Sequence, residues 1–326
     1  MIISKTPMRL SFVGGGSDLP SYYRENPGAV LSTSIDKFVY VTINKRFEPG
    51  IRLSYSKTEE VLAVEEIEHR IVKATLRKLG VEGGVEITSV ADIPSRGSGL
   101  GSSSSFTVGL LHALYAYLGR YKPKAELGLE ACEVEIDLCG EPIGKQDQYA
   151  AAAGGLNIIK FYPDESVTVE PVIAPPGAID TIESEMIMFY TGVVRSASGV
   201  LKQQSEDVDA DPRKKAALRR MVELVDVLRD EISRGNTEAL GEILHENWEL
   251  KKSLTSGISS ATIDDHYAAA RAAGARGGKL LGAGGGGFMV FSAPKSRHPD
   301  IIKSLSHLRH VDFGFENSGS SIVFYQ

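Results

Sequence analysis

A glycine- and serine-rich loop that runs directly into an apolar helix constrains the fold of this chain more than any other segment. The loop, residues 97–105, reads G-S-G-L-G-S-S-S-S, and the residues after it are strongly apolar up to about residue 118. Glycines let a backbone approach an anion closely, and free N–H groups at a helix N-terminus point toward negative charge. The segment therefore predicts a phosphate cradle between a strand and a buried helix, with a flexible linker as the alternative reading.

Length and composition are those of a folded protein of about two domains. The chain has 326 residues, of which 42% are hydrophobic and 24% charged. Its net charge of −6 argues against a protein that binds nucleic acid by neutralising the phosphate backbone. Two cysteines, Cys132 and Cys139, lie in one predicted helix about 10 Å apart, too far for a disulfide. With neither a signal peptide nor an apolar run of the ~20 residues that span a bilayer, we expect a cytoplasmic protein without membrane or nucleic-acid partners.

The order of predicted elements indicates an α+β chain with a boundary near residue 178. In the first half, strands are predicted over 38–43, 51–54 and 84–90, and helices over 59–79, 103–118 and 123–140. In the second half, strands are predicted at 186–190, around a glycine run at 282–287 and at 321–325, and helices over 212–234, 237–254, 261–273 and 300–308. Asp211 and Asn236 are the expected N-caps of the first two of these helices. We predict two domains, residues 1–178 and 179–326.

One carboxylate stands out in the helix predicted over 123–140. When the residues are placed around the helix axis at 100° intervals, Glu130, Glu133 and Asp137 lie together on the solvent side. Glu135 instead lies on the side that carries the apolar residues. A carboxylate is costly in such a position unless it is paired with a cation or a metal ion. Glu135 is therefore either a metal ligand or half of a buried ion pair with an Arg or Lys elsewhere.

Two further clusters are compatible with a ligand site but are weak by themselves. Near the N-terminus, a strand carries Arg9 into the run G-G-G-S-D, which suits a turn that presents Asp18 to a polyol and aims Arg9 at a negative centre. A plain hairpin turn is the alternative. Asp147 lies in G-K-Q-D-Q-Y, just before a run of small residues, and taken alone it is more typical of a solvated loop acid.

The glycine run G-A-G-G-G-G at 282–287 matches the sequence pattern G-x-G-x-x-G of dinucleotide-binding proteins, but its context does not fit. The residues after it, F-M-V-F, read as a strand, whereas that fingerprint must open a helix. The triplet D-F-G at 312–314 matches a motif of protein kinases, but the catalytic-loop motif H-R-D does not precede it. Neither a dinucleotide-binding nor a protein-kinase fold is predicted.

Taken together, three motifs make the chain resemble the GHMP kinases, the superfamily of galactokinase, homoserine kinase, mevalonate kinase and phosphomevalonate kinase. They are P-x-R-L-x-x-x-G-G-G-S-D at 7–18, the G-S-G-L-G-S-S-S-S loop and G-A-G-G-G-G, in that order along most of the chain. The resemblance implies an α+β, two-domain fold, with a ribosomal protein S5 domain 2-like N-terminal domain and a ferredoxin-like C-terminal domain. It places the active site between the two domains.

The resemblance also assigns roles to individual residues. It implies that Asp147 is the catalytic base, that Arg9 lies near the reacting hydroxyl, and that Ser103 and Glu135 bind the Mg²⁺ that accompanies ATP. The residues expected to cradle the ATP phosphates are Gly97, Ser98, Gly99, Leu100, Gly101, Ser102, Ser103 and Ser104. Those expected to contact the acceptor are Gly15, Gly16, Ser17, Asp18 and Arg195.

Within the superfamily, the form G-G-G-S-D-L-P resembles the branch of D-glycero-D-manno-heptose 7-phosphate kinase and the kinase domain of fucokinase. This implies ATP-dependent phosphorylation of the anomeric hydroxyl of a heptose 7-phosphate, with the sugar phosphate and ATP as small-molecule partners. Arg195, in a turn rich in small residues and hydroxyls, is the predicted clamp for the 7-phosphate, with Arg96 as second candidate and a surface arginine as the alternative reading.

Three questions stay open from the sequence. The first is whether the acceptor is instead an unphosphorylated sugar such as fucose or galactose. The second is whether the scaffold is a non-catalytic sugar or ATP sensor, against which the presence of Asp147, Glu135 and Ser103 argues. The third is whether the chain works as a monomer or as a homodimer.

Overall fold

The structure, a computed structural model, describes residues 1–93, 97–193 and 197–326. It is an α+β fold built on a nine-stranded sheet and a four-stranded sheet, which confirms the predicted fold class. Among the described residues, none of the helices combines the length and the apolar character that a membrane crossing requires. Cys132 and Cys139 are free thiols, as the helical spacing predicted.

The elements of the described residues are numbered in chain order. The strands are β1 (Ile2–Val13), β2 (Gly28–Lys45), β3 (Ile51–Ser54), β4 (Thr58–Val61), β5 (Val85–Ala91), β6 (Leu156–Phe161), β7 (Val167–Pro171), β8 (Met186–Tyr190), β9 (Gly277–Leu280), β10 (Phe288–Ser292), β11 (Arg309–Val311), β12 (Phe315–Glu316) and β13 (Ser321–Tyr325). The helices are α1 (Pro20–Tyr23), α2 (Arg70–Leu79), α3 (Ser102–Tyr117), α4 (Lys124–Cys132), α5 (Gln146–Ala153), α6 (Ala178–Glu185), α7 (Ala197–Ala210), α8 (Pro212–Ser233), α9 (Ala239–Leu254), α10 (Ala261–Ala272) and α11 (His298–Ser304). Short 3₁₀ turns occupy Val64–Glu66 and Lys295–Arg297, and a π-helical segment, Glu133–Leu138, continues α4.

The long antiparallel pair β1 and β2 organises the first sheet. The strand order is β13-β1-β2-β5-β3-β4, with β6 and β12 also paired to β2, and β7 paired to β6. The register between β1 and β2 shifts after Pro7 and again between Ser11 and Val13. Such irregularities re-aim side chains and are common beside active sites. Arg9 lies between the two shifts, on the part of β1 that leads into the triple-glycine turn.

Helix α3 is buried on two sides, which explains why its sequence is apolar all round. Leu110 and Leu114 pack with β1 and β2 in the core of the first sheet. Val108 and Leu111 pack with α4 and α5 on the opposite side. The glycine- and serine-rich loop therefore leads into a helix that is fixed by packing, and the linker reading does not hold.

The second sheet, in the order β11-β8-β10-β9, is antiparallel and carries the second core. Trp248 of α9 is fully buried against this sheet and the helices that cover it. Helix α8 begins at the predicted N-cap, because the Asp211 side chain accepts a hydrogen bond from the backbone N–H of Arg213. Its inner face, which includes Val225, also packs with the core of the first sheet.

The C-terminal strands return to the first sheet. Strand β13 pairs with β1 along Ile2 to Lys5, and β12 pairs with β2. The sheet that begins in the predicted domain 1–178 is therefore completed by residues from the predicted domain 179–326. The boundary near residue 178 itself stays a prediction.

Two local predictions are wrong. The helix predicted over 59–79 begins at Arg70, because residues 58–61 pair with β3 as β4 and the buried Glu59 accepts hydrogen bonds from Tyr55 and the Glu68 N–H. Tertiary pairing overrides helix propensity there. Asn236 does not cap α9, since its amide donates to Glu231 and the helix begins after Glu238.

Candidate active site

The loop before α3 holds three glycines in the left-handed region. Gly97, Gly99 and Gly101 have φ values of 63°, 76° and 73°, which L side chains rarely adopt. Helix α3 then begins at Ser102, so its first N–H groups and the positive end of its dipole meet the loop. This is the local geometry that the sequence predicted for a phosphate cradle.

The third glycine motif lies directly behind this loop. A Cβ atom on Gly99 would lie 2.2 Å from the carbonyl oxygen of Leu281, and one on Gly282 would lie 2.5 Å from Gly99 Cα. A Cβ on Gly287 would likewise lie 2.5 Å from the carbonyl oxygen of Ser98. The two glycine motifs therefore pack backbone against backbone, and the third motif supports the loop.

Glu135 lies on the π-helical segment and faces the N-terminus of α3. Its carboxylate accepts hydrogen bonds from the hydroxyls of Ser103 at 2.9 Å and Ser104 at 2.7 Å and from Nε2 of Gln148 at 2.7 Å. The residue is 1% exposed, and within the described ranges no Lys or Arg forms an ion pair with it. Burial raises the pKa of Glu135 above its ordinary value, and the hydrogen bonds from Ser104, Ser103 and Gln148 oppose that rise.

The predicted ion-pair alternative for Glu135 has no partner in this part of the chain. Insertion of an extra residue into a helix to give a π-helical turn is frequent at functional sites. Glu135 is thus a buried carboxylate beside a helix N-terminus, and the donors that hold it among the described residues are neutral.

Asp147 lies in the first turn of α5 and contacts Arg9. The guanidinium Nε and Nη2 lie 2.8 Å and 2.7 Å from Asp147 Oδ1, and Nη1 donates to the carbonyl oxygen of Gly99 at 2.6 Å. The Arg9 side chain is 4% exposed and that of Asp147 25%, so the pair is partly shielded from water. Asp147 is therefore neither the loop residue nor the fully solvated acid that its local sequence suggests.

The triple-glycine turn is held by its own serine and aspartate. Asp18 is buried, and its two oxygens accept from the Gly16 N–H at 2.9 Å and from the side-chain amide of Gln146 at 3.1 Å. Burial and the charge of Asp147 raise the pKa of Asp18 above its ordinary value. Asp18 faces the cavity, yet its main contacts join the turn to α5.

Two predicted ligand contacts lie inside the protein instead of facing the cavity. Ser17 is fully buried, and its hydroxyl donates to the carbonyl oxygens of Gly14 and Ala29. Leu100 is also fully buried, and its carbonyl oxygen accepts from the Arg9 N–H at 3.0 Å. These contacts fix the shape of the turn and of the loop, and a ligand contact by Ser17 or Leu100 stays a prediction.

The remaining predicted site residues of the described chain come together around one cavity of about 250 Å³. They are Arg9, Gly15, Gly16, Asp18, Gly97, Ser98, Gly99, Gly101, Ser102, Ser103, Ser104, Glu135 and Asp147. Residues from β1, the turn after it, α3, α5 and the third glycine motif thus converge, which brings all three sequence motifs to one site. Arg195 and Arg96, the predicted phosphate clamps, lie outside the described residues.

A second cavity, of about 390 Å³, adjoins the first and shares Ser102 and Ser103 with it. The ring of His69 lies between two other aromatic rings, with centroid distances of 4.8 Å to Tyr55 and 5.2 Å to Phe106. Such a lining suits a flat heterocycle next to the phosphate loop. Sequence analysis missed this cavity, because its residues come from separate elements with no shared motif.

Sequence analysis also missed two buried lysines in the first cavity, Lys251 and Lys279. Burial lowers the pKa of Lys279 to about 7, helped by the positive charges of Lys251 and Arg9, and its ammonium donates to the carbonyl oxygens of Ser11 and Phe12. Lys251 follows the buried Trp248 by three residues on α9, so it falls on the apolar stripe of that helix. Like Glu135, Lys251 is a charged residue on the apolar side of a helix, so helical periodicity predicts its burial.

Comparison with known proteins identifies relatives of the whole chain. The sequence profile "GHMP kinases N terminal domain" matches residues 66–155, and "GHMP kinases C terminal" matches residues 228–306. The chain is 28% identical to a D-glycero-alpha-D-manno-heptose 7-phosphate kinase of Campylobacter jejuni, over 98% of this chain and 97% of that protein. It is 27% identical to a bifunctional fucokinase/GDP-fucose pyrophosphorylase of Arabidopsis thaliana, over 88% of this chain and 29% of that protein.

Among solved structures, the fold is similar to a D-glycero-D-manno-heptose 1-phosphate kinase from Bacteroides thetaiotaomicron. The TM-score is 0.82 and the identity 26%, with all of both chains covered. A galactokinase of Lactococcus lactis in complex with galactose has a TM-score of 0.76 at 18% identity, over 98% of this chain and 94% of that one, and shows the shared fold alone.

Proposed function

Because this chain belongs to the GHMP kinase superfamily and has that fold over its full length, we propose that it phosphorylates the anomeric hydroxyl of D-glycero-D-manno-heptose 7-phosphate. The products would be the 1,7-bisphosphate and ADP. The observation that carries the proposal is the Arg9–Asp147 pair, which lies in one cavity with the N-terminus of α3 and Glu135. Similarity to the Campylobacter jejuni heptose 7-phosphate kinase across nearly the whole of both chains supports the choice of acceptor.

The nucleotide would span the two adjoining cavities. Its phosphates would bind the N–H groups of the loop and of the first turn of α3, where the helix dipole favours negative charge. Its base would stack in the cavity lined by Tyr55, His69 and Phe106. Ser102 and Ser103 line both cavities, so the phosphates of the nucleotide would enter the first cavity beside them.

The residues near Glu135 fit a magnesium ion. Glu135 supplies a buried carboxylate without a cationic partner in the described ranges, and the Ser103 hydroxyl lies beside it. The described ranges hold no cluster of three or more His, Cys, Asp or Glu side chains suited to a metal. Mg²⁺ in kinases does not require one, because it is usually bound by one or two carboxylates together with substrate phosphates and water. Glu135 and Ser103 would hold it, and when bound it would neutralise charge on the β- and γ-phosphates.

The protein's own part in the reaction is positioning and proton transfer. Asp147 Oδ1 faces Arg9, which leaves Oδ2 to accept the proton of the acceptor hydroxyl. Arg9 fixes the orientation of that carboxylate and adds positive charge near the reacting centre. An anomeric hydroxyl is more acidic than an ordinary alcohol, so a carboxylate can serve as its base. In-line transfer then depends mainly on positioning and charge neutralisation.

A coupled assay of ADP release tests the proposal. The purified enzyme is offered ATP, Mg²⁺ and a panel of acceptors that includes D-glycero-D-manno-heptose 7-phosphate, the unphosphorylated heptose, fucose, galactose and mevalonate. We expect the highest kcat/KM with the heptose 7-phosphate and a ³¹P resonance typical of an anomeric phosphate in the product. A higher kcat/KM with an unphosphorylated sugar would assign the enzyme to the fucose or galactose type, and turnover of none would support a sensor.

A further inference from the structure

Helices α9 and α7 bring a buried lysine and a buried glutamine together at the triple-glycine turn. Lys251 is 6% exposed and Gln204 is fully buried. The Lys251 ammonium donates to Gln204 Oε1 at 2.8 Å and, more weakly, to the carbonyl oxygen of Gly15 at 3.4 Å. An ammonium has three N–H donors, so one is left without an acceptor among the described residues.

Lys251 also has no carboxylate partner within ion-pair distance in the described part of the chain. The negative charge of Asp18 acts on Lys251 from a greater distance. The oxygens of Asp18 accept hydrogen bonds from Gly16 and Gln146 instead. Burial lowers the pKa of Lys251 to about 8, and the charge of Asp18 opposes that shift. A buried ammonium with no counterion is unfavourable, and a bound anion would relieve that cost.

Gln204 gives an independent sign of a ligand. Because the ammonium only donates, Oε1 of Gln204 must face Lys251, which fixes the orientation of the amide. Its Nε2 is then a buried donor with no partner among the described residues. A Cβ on Gly16 would lie 2.5 Å from this Nε2 and 3.5 Å from the Lys251 ammonium, so glycine at this position lets both donors lie close to the backbone of the turn.

The contacts around the cavity give the order of its parts. Glu135 and the start of α3 form one end, and Asp147 with Arg9 follows through the contact of Arg9 with Gly99. Gln146, next to Asp147, joins Asp18, and Asp18 joins Gly16, beside which Lys251 lies. Along this series of contacts, Arg9, Asp147 and Asp18 separate Lys251 from Glu135 and the start of α3.

We propose that the Lys251 ammonium, together with Nε2 of Gln204, binds the phosphate group carried by the acceptor sugar. This rests on the proposed function and names the part of the site that selects a phosphorylated acceptor.

Direct binding separates this inference from the proposed reaction. Calorimetry measures the Kd of D-glycero-D-manno-heptose 7-phosphate and of the unphosphorylated heptose for the wild type and for Lys251→Met, Lys251→Arg and Lys252→Met. Lys252 is the matched control, because it neighbours Lys251 on α9 but pairs with Glu249 at the surface. The melting temperature of each variant reports on folding.

We expect Lys251→Met to weaken binding of the 7-phosphate by about 10- to 100-fold, as for the loss of a charged hydrogen bond, and to leave heptose binding nearly unchanged. Lys251→Arg should retain most of the affinity, and Lys252→Met should bind as the wild type does. If Lys251→Met does not fold, Gln204→Met carries the same test, with a loss of several-fold expected for the 7-phosphate alone.

Two results would overturn the inference. One is a wild-type enzyme that binds the two sugars equally well. The other is a Lys251→Met variant that keeps full affinity for the 7-phosphate or loses affinity equally for both sugars, which would give Lys251 a structural role or one toward the transferred phosphoryl group. Tight, Lys251-dependent binding without turnover would instead uphold the inference and contradict the proposed reaction.

Discussion

Arg9 directs two guanidinium nitrogens at a single oxygen of Asp147, with Nε 2.8 Å and Nη2 2.7 Å from Oδ1. The other oxygen, Oδ2, has no hydrogen-bond donor among the described residues and lies 3.3 Å from the position of a Cβ on Gly101. One oxygen is thus used to orient the carboxylate, and the other faces the loop that leads into α3. This division is what a base beside a phosphate site requires, since orientation and proton acceptance use different atoms.

The first prediction concerns Gly101, whose φ of 73° and closeness to Asp147 make it intolerant of a side chain. Gly101→Ala should lower kcat by about 100-fold, because displacement of reacting groups by as little as 1 Å can cost that much. Gly119 is a matched control, since it has a φ of 68° with no atom within 4 Å of a Cβ. Gly119→Ala should lose similar stability, about 1–2 kcal/mol, and keep its kcat. Equal kcat in the two variants would contradict the assigned geometry.

The second prediction concerns Glu135 as a magnesium ligand. The raised pKa of Glu135 means that folding favours its protonated form. The contribution of this group to the free energy of unfolding is therefore fully present below the ordinary pKa of a glutamate and is lost as the pH rises through the raised value. Without Mg²⁺ at neutral pH, Glu135→Gln should therefore melt no lower than the wild type. With ATP, its Mg²⁺ titration should shift to higher concentration and its kcat should fall.

Glu133→Gln is the control for that experiment. Glu133 lies on the same π-helical segment, pairs with Lys78 and has a side chain 43% exposed. It should leave Mg²⁺ activation unchanged. Normal Mg²⁺ activation of Glu135→Gln together with a large fall in its melting temperature would assign Glu135 to an ion pair instead.

The third prediction is the pH dependence of acceptor binding through Lys251, whose pKa is about 8. Only the ammonium attracts phosphate, so KM for the heptose 7-phosphate should rise as the pH passes 8, approaching tenfold per unit. The charged groups that face Lys251 in the described chain are Asp18 from the turn and Lys279 from β9, whose pKa burial lowers to about 7. Lys251→Arg stays charged throughout, so the part of the rise above pH 8 should disappear in that variant. A profile identical to that of the wild type would remove Lys251 from acceptor binding.

Local sequence patterns predicted the site better than its surroundings. The buried position of Glu135 follows from helical periodicity alone, and the start of α3 follows from the glycines and serines before it. The second cavity, around His69, and the pairing of β13 with β1 depend on long-range contacts, which periodicity does not encode. Asp147 looked solvated because its partner Arg9 is distant in sequence, and only the fold brings the two together.

The central claim is that Asp147 accepts the proton of the acceptor hydroxyl, and Asp147→Asn tests it most directly. The substitution keeps the shape of the side chain and removes the proton acceptor. We expect kcat for ADP formation with D-glycero-D-manno-heptose 7-phosphate to fall by ~10²–10⁴-fold, with the Kd of ATP and the melting temperature close to those of the wild type. An Asp147→Asn enzyme that retains more than about a tenth of the wild-type kcat would contradict the account.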